Sequence, residues 1–491
     1  MQSLYILIPT PHQKCHNPRN TPTAGPASSV FRNSPGTTAR LLILCLGLAS
    51  LVFDNHPHFM LGDSVSYLST WPGAWIPPDR SWLFGFMTHG LLVLTHSLDA
   101  YIVLQVLLQC AVAAFLARTF LPTGPARSVL IAFAVCDPLL ATYARFYMSD
   151  FFAALCFVTW LALLKPILDA SQKPAPQRWA GIALAGVLAV FVRVAYVPIE
   201  ALTLLLFAAR ALARRDRPGA RRALAACLVP VMAAGLLTGA NGLIFRDRLP
   251  QPFFLNRLSG VFSAGVFAPA IAAEDIRAAG IPVTDEQMRL MRLGDYHLRL
   301  AQVWGSDPTW LRKVVMKSCH TTDEYNPTVN TVMGRITRHA FLRNPAAFAG
   351  VYLRTLGYYF RPQEWRRDFD TELGLYRPFP PDFVRFLNTW LPFDPVNAET
   401  PERMSRLTWI LRSCLGLYPV LLMVFTVLSA AILIVSGSTA LTVPACGILS
   451  SVLLAPLYSN YVIPRYILPV MALGYCLLTV LIASRINRRN L

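Results

Sequence analysis

Apolar residues along this chain gather into blocks, and most of the blocks are long enough to cross a bilayer, which takes roughly 20 residues of helix. The clearest run over 101–116, 129–143, 151–168, 223–245, 409–435, 440–457 and 462–484. A shorter block at 41–53 extends into weakly polar sequence. The run 179–209 is too long for one simple span and contains Arg193 and Pro198, so it predicts two helices joined by a tight outer turn. The pattern therefore predicts an all-α polytopic membrane protein of about ten transmembrane helices.

Three polar segments between these blocks are expected on one face. The first, 54–99, follows the first span and carries Trp71, Trp75 and Trp82, amphipathic rings that suit the headgroup level. Within it 81–94 is apolar but interrupted by His89, which predicts a segment lying against the membrane. The second is the turn 145–150. The third, 246–406, is punctuated by Pro282, Pro308, Pro327, Pro345 and Pro380-Pro381, with helical patterns between. Asn344-Pro345 opens a helix well, Asn as cap and Pro at the first helical position. Phe348, Val351, Tyr352, Leu356 and Tyr359 then recur at helical spacing. That stripe fits either a helix packed on its own domain or one that receives a lipid tail beside the membrane. The expected organisation is a disordered cytoplasmic tail (1–39), an N-terminal transmembrane module (40–245) with the first outer loop 54–99, a mostly helical external domain between the seventh and eighth spans (246–406), and C-terminal transmembrane helices (407–491).

Composition agrees: 54% of the 491 residues are hydrophobic and 14% charged, against about 25% charged in soluble proteins. The net charge of +18 would suit nucleic acid, but its placement argues otherwise. Arg210, Arg214, Arg215, Arg217, Arg221 and Arg222 fill one short loop, Arg485, Arg488 and Arg489 close the chain, and Lys14, Arg19, Arg32 and Arg40 precede the first span. One side accommodates them all, and the positive-inside rule makes that side cytoplasmic. Both termini are then cytoplasmic, the membrane is the inner (plasma) membrane, and no nucleic-acid partner is expected. Eight of the ten cysteines lie in apolar blocks, and Cys15 and Cys319 fall on opposite sides, so no disulfide framework is available. The first 39 residues lack a signal-peptide pattern.

Neither a phosphate-binding loop nor a G-x-G-x-x-G turn is present. Asp63, Asp137, Arg145, Asp150, Arg193 and Arg465 are instead expected at or just within one membrane face. Charges there are costly and usually serve a cavity. Asp63 is placed to act as general base toward an acceptor hydroxyl, and equally to cap a helix starting at Ser64. Asp150 has the same two readings, and Asp137-Pro138 marks a helix break. Arg465 and Arg193 suit a phosphate, which guanidinium holds through paired hydrogen bonds, or else they snorkel or pair with Glu200 or Asp150.

A carboxylate soon after the first span, a turn Arg145-Phe146-Tyr147-Met148-Ser149-Asp150 before the fourth, and Arg465-Tyr466-Ile467-Leu468-Pro469 at the last helix recur together in one family. The combination resembles the GT-C superfamily of integral membrane glycosyltransferases, most of all bacterial enzymes near protein O-mannosyltransferases and the lipid A aminoarabinose transferase. Many of its members show an Asp-Glu pair in the first loop and Ser-Glu before the fourth span, where this chain has Asp63 alone and Ser149-Asp150. The resemblance implies transfer of a sugar, hexosyl or pentosyl, from a polyprenyl-phosphate donor to a glycan, lipid or protein acceptor at the outer face. It implies Asp63 as base, Asp150 as a second catalytic carboxylate, and Arg465, Arg193, Arg145, Tyr147, Tyr67 and Tyr466 as substrate-binding residues. A divalent metal is an option within that superfamily, but the sequence offers no ligand cluster, and no cofactor is expected. The rival is a transporter or flippase of lipid-linked sugars; such proteins often carry inverted repeats, and no internal repeat is visible here.

Overall fold

The computed structural model describes residues 35–60, 63–73, 75–122, 124–169, 175–373, 381–392 and 404–489. Gly62, Pro380 and residues 1–34 of the expected N-terminal tail, Cys15 included, lie outside the described residues. The first helix, Pro35–Phe53, begins inside that tail. Every regular element among the described residues is helical; extended pairing is limited to isolated bridges, His58 with Phe146 and Thr70 with Trp75.

Among the described residues, seven helices are long and apolar enough to cross a membrane: Asp99–Phe120, Ser149–Leu168, Tyr196–Ala213, Arg217–Ile244, Leu417–Val435, Thr439–Tyr458 and Pro464–Ile486. Leu42–Phe53, Trp82–Thr95, Pro125–Cys136 and Pro176–Val192 are apolar but shorter. By length and hydropathy alone seven helices qualify, and four shorter apolar helices stand beside them, where the sequence pattern predicts about ten spans. The 129–143 block is two helices, because Pro138 has no N–H to continue the ladder. Asp137 closes Pro125–Cys136 and caps Pro138–Tyr143, accepting from the Leu140 N–H at 2.9 Å. The hydroxyls of Tyr475 and Tyr418 donate to its other oxygen at 2.5 and 3.3 Å. The 179–209 run divides, as the sequence pattern predicts, into two helices, Pro176–Val192 and Tyr196–Ala213, with the break at 193–195.

The apolar helices share one core. Thr439–Tyr458 packs against Tyr196–Ala213, Leu417–Val435 and the final helix Leu468–Arg489. Gly447 permits this closeness: a Cβ there would lie 2.5 Å from Leu161 and 3.0 Å from Leu473. A second core, with Leu258, Ile276, Met291, Val315, Met333 and Ile336, belongs to the helices between Ser259–Val266 and Pro345–Tyr359. There Gly260 lies against the backbone of Asn330, whose side-chain oxygen accepts from the Gly260 and Val261 N–H groups at 2.8 and 3.2 Å. The apolar stripe of Pro345–Tyr359 joins the two cores. Phe348 and Val351 enter the second, Tyr358 and Tyr359 the first, and the Tyr352 hydroxyl donates to the Leu453 carbonyl at 2.8 Å.

Candidate active site

Asp63 opens a one-and-a-half-turn helix, Asp63–Leu68, that follows the first apolar helix. The helix is anchored at both ends. The N–H groups of Asp63 and Ser64 bond the Met60 carbonyl, the Tyr67 hydroxyl lies 2.9 Å from Ser149 Oγ, and His89 Nδ1 lies 2.6 Å from the Leu68 carbonyl. The chain then returns through Asp79-Arg80 to Ser81. Ser81 caps Trp82–Thr95 by accepting from the Phe84 N–H, and its hydroxyl donates to the Phe191 carbonyl at 2.8 Å. This places Arg80 against Asp63, with which it forms an ion pair, and its Nε lies 3.3 Å from Asp79.

Asp150 is the second residue of Ser149–Leu168, and its oxygens meet arginines. Arg193, at the break between two helices, approaches Oδ2 at 2.6 Å. Arg465 lies in the single 3-10 turn Pro464–Ile467, ahead of the last helix. Its guanidinium faces three carboxylates from three distant parts of the chain: Asp150 at 3.5 Å, Asp63 at 3.9 Å and Glu372 at 3.3 Å. Glu372 ends the helix Pro362–Glu372 and accepts from the Tyr143 and Tyr461 hydroxyls, each at 3.0 Å. The ring of Tyr466 lies beside Arg193 and Arg465, 4.8 and 5.7 Å from centroid to guanidinium carbon.

Asp150, Glu372 and Arg465 are buried, while the Asp63 side chain keeps 28% of its exposure. Burial pushes the Asp63 carboxyl up, but Arg80, Arg465 and Arg193 together bring it below the usual carboxylate range. Burial and the nearby Asp150 push Glu372 up to about 7 in spite of Arg465 and the two phenols. Asp79 is raised by burial, with Arg80 opposing. A unit pair 3.5 Å apart gains about 5 kcal/mol at an effective dielectric of about 20, while burying each ion costs several kcal/mol. The two nearly cancel, so stability does not account for seven ionisable groups in one place. Charged groups gathered this way, several of them perturbed, form a candidate functional site.

The structure therefore brings together Asp63, Asp150, Arg193, Arg465, Tyr67 and Tyr466 from the residues singled out by sequence. The carboxylates of Asp63 and Asp150 face arginines, whereas Asp137 serves as a cap. Arg145 and Tyr147 stand apart. The buried Arg145 guanidinium donates to the carbonyls of Ala141, Asp54 and Ser50 at 2.5, 2.6 and 2.7 Å. Tyr147 donates to the Leu98 carbonyl at 2.5 Å and stacks on Tyr101. Arg80, Glu372, Tyr143 and Tyr461 join the cluster without having been picked out. Arg80 carried a signal, since it precedes a helix cap in the same loop as Asp63. Glu372 carried none, being one acid among the nearly balanced charges of 246–406. Among the described residues no three of His, Cys, Asp and Glu are grouped so as to hold a metal ion.

No protein-family model and no curated protein matches this chain. Among solved structures the chain is similar to ArnT from Cupriavidus metallidurans in the apo state, at 13% identity and a TM-score of 0.35, covering 90% of this chain and 78% of that one. ArnT from the same organism bound to undecaprenyl phosphate gives 13% identity and a TM-score of 0.34 over 91% and 78%. Likeness at that level carries no argument about chemistry; the cluster has to carry its own.

Proposed function

We propose that this chain is a glycosyltransferase of the plasma membrane that moves a sugar from a polyprenyl-phosphate donor to an acceptor at the outer face. The observation that carries this reading is the convergence of Asp63, Asp150, Arg193 and Arg465. Transfer from a lipid phosphate needs a base for the incoming acceptor group and cations for the phosphate that leaves. It needs them at one depth, because the lipid keeps its phosphate near the headgroup layer. Asp63, tethered just beyond the first apolar helix, is the base; its lowered proton affinity keeps it ionised at neutral pH, as a base must be. Arg465 and Arg193 stabilise the negative charge that grows on the departing phosphate.

The ion pairs couple these roles. A carboxylate paired with arginines is a weak base, since acceptance of a proton forfeits the pairing. When a phosphate engages Arg465 and Arg193, Asp63 loses part of that support and its proton affinity rises toward the working pH, where general-base catalysis is most effective. Donor binding thus activates the base. In this reading the second core and its helices are external, both termini are cytoplasmic, and Asp150 keeps Arg193 aligned.

The test is transfer of labelled sugar from a panel of polyprenyl-phosphate donors into envelope fractions carrying the parent or Asp63→Asn. Incorporation that depends on the parent and collapses with Asp63→Asn supports the reading. Asp63→Asn transfer equal to the parent's would remove Asp63 as base, and no incorporation from any donor would remove the activity.

A further inference from the structure

Arg465 is shared by three carboxylates, and they are not equivalent. If Arg465 turned to another anion, Asp63 would retain its ion pair with Arg80, and Asp150 would retain Arg193 at 2.6 Å. Among the described residues, Glu372 would retain only two neutral phenols, Tyr143 and Tyr461, at 3.0 Å each. It is also the most deeply buried of the three, at 1% exposure. Among the described residues, the other charged or titratable groups around it offer no replacement cation. Asp368, on its own helix, accepts from the Val462 N–H and pairs with Arg367. Tyr359 approaches from a neighbouring helix, Tyr466 lies beside Arg465, and Asp150 adds negative charge.

Charge counting leads the same way. Among the described residues, three guanidinium groups, Arg80, Arg193 and Arg465, stand against four carboxyl groups, Asp63, Asp79, Asp150 and Glu372. A phosphate entering that buried set with every carboxyl ionised adds to a negative excess where water cannot screen it.

We propose that Glu372 is the carboxylate that a lipid phosphate displaces from Arg465, and that it takes up one proton as the phosphate binds. This rests on the reading of Arg465 as the phosphate-holding residue. The exchange balances: Arg465 trades a carboxylate oxygen for a phosphate oxygen, one Glu372 oxygen gains a proton from solvent, and one phenol turns to accept the new O–H. Release of the product phosphate returns the proton. Glu372 is a positioning residue in this scheme. It holds the guanidinium aligned between turnovers, then becomes neutral so that the phosphate does not face a buried anion. The burial that already raises its proton affinity acts more strongly once Arg465 is engaged elsewhere.

The experiment is calorimetric titration of the purified full-length protein in detergent with a short-chain prenyl phosphate methyl diester. This probe keeps one negative charge throughout the range, so its own titration does not intrude. Runs at pH 8 in two buffers of different ionisation enthalpy count protons. The parent should take up close to one proton, and its Kd should weaken by about tenfold per pH unit between 7.5 and 8.5, the slope set by one linked proton. Glu372→Gln should bind with no proton uptake and a flat Kd. Tyr461→Phe, a gentler change that removes one donor to the carboxylate, should move the onset of weakening to higher pH. Equal proton uptake by the parent and Glu372→Gln, or an onset unmoved in Tyr461→Phe, overturns the proposal. Probe binding that is lost in Arg465→Ala but shows no proton uptake in the parent also overturns it, while leaving the phosphate reading standing. Binding unaffected by Arg465→Ala removes the phosphate reading itself.

Discussion

Buried arginines occur both in the charged cluster and in the second helical region, and the two sets are satisfied by different partners. In the second region Arg299 donates to the Tyr296 carbonyl at 3.0 Å and to Thr355 Oγ1 at 2.9 Å, and Arg312 donates to the Val303 carbonyl at 2.9 Å. Those acceptors are neutral, although Arg312 also stands 4.0 Å from the half-exposed Glu324 carboxylate, and burial lowers both guanidinium groups, Arg299 to about 10. In the cluster, Arg80 is half-buried, and Asp63 and Asp79 outweigh burial and raise it. A guanidinium spent on carbonyls stitches backbone together and has nothing to exchange. One facing carboxylates can trade an anion for an anion. Arg145 belongs with the stitching set although it lies beside the cluster in sequence, and Arg465 belongs with the exchanging set.

The most severe way to break this contrast is at the base. Asp63→Asn keeps the shape of the side chain and removes its charge, so sugar transfer should fall by about 10²–10⁴-fold. Thermal stability should change little, because Asp63 is partly exposed and Arg80 retains Asp79. A large loss of melting temperature with transfer retained would place Asp63 among the structural residues.

Arg465 should give the next largest effect. Each of its three carboxylates has another partner, so Arg465→Ala should still fold and insert. Loss of a charge-assisted phosphate contact, typically 2–5 kcal/mol, should weaken donor binding by about 30-fold or more. Arg465→Lys keeps the charge but not the planar fork, and should fall between Ala and the parent. Donor affinity unchanged in Arg465→Ala would sink its role.

Arg145→Ala sharpens the contrast from the other side. It strands two buried carbonyls, those of Ala141 and Asp54, while the Ser50 carbonyl keeps the Asp54 N–H at 3.2 Å; at about 1–3 kcal/mol each, a loss of about 2–6 kcal/mol is expected in thermal or denaturant unfolding. Transfer per folded molecule should stay near the parent value. A selective loss of donor binding with normal stability would move Arg145 into the exchanging set.

Much of this arrangement was legible in the sequence because membranes write in a coarse code. Block length, the break at Arg193 and the Asp137-Pro138 interruption all appear as composition or as a proline. Asp63, Asp150 and Arg465 were legible because an ionisable residue beside an apolar block is rare enough to stand out. The division between binding and stitching was not legible. Arg145 and Arg193 look alike as single arginines near apolar segments, and only the fold decides that one meets carbonyls and the other a carboxylate. Glu372 was hidden for a different reason: it lies in a region where charge is common, and the partners that enclose its carboxylate, Tyr143, Tyr461 and Arg465, are each more than 80 positions away.

The smallest effect expected concerns Glu372 and has a definite sign. Its folded value is raised from 4.5 to about 7, so between those limits the folded protein binds more protons than the unfolded chain. Stability from this group should therefore fall as pH rises from about 4.5 to about 7 and level off above, by up to about 3 kcal/mol in total. Asp63 works in the opposite sense and in another window. Its lowered value makes a contribution present above the unfolded carboxyl value of 3.8 and lost only as pH drops below it. The raised Asp79 adds to the Glu372 trend, so the informative quantity is a difference between proteins. Unfolding of the parent and of Glu372→Gln should be followed in detergent at pH 5 and pH 7.5 at one fixed scan rate, since membrane proteins often unfold irreversibly. The parent should lose more melting temperature across that interval than Glu372→Gln does. Equal losses would mean that Glu372 stays ionised at neutral pH as a permanent partner of Arg465. The contrast would then sharpen differently: Arg465 would be held as firmly as Arg193 is by Asp150, and a phosphate would have to draw on Arg193 or Arg80 instead.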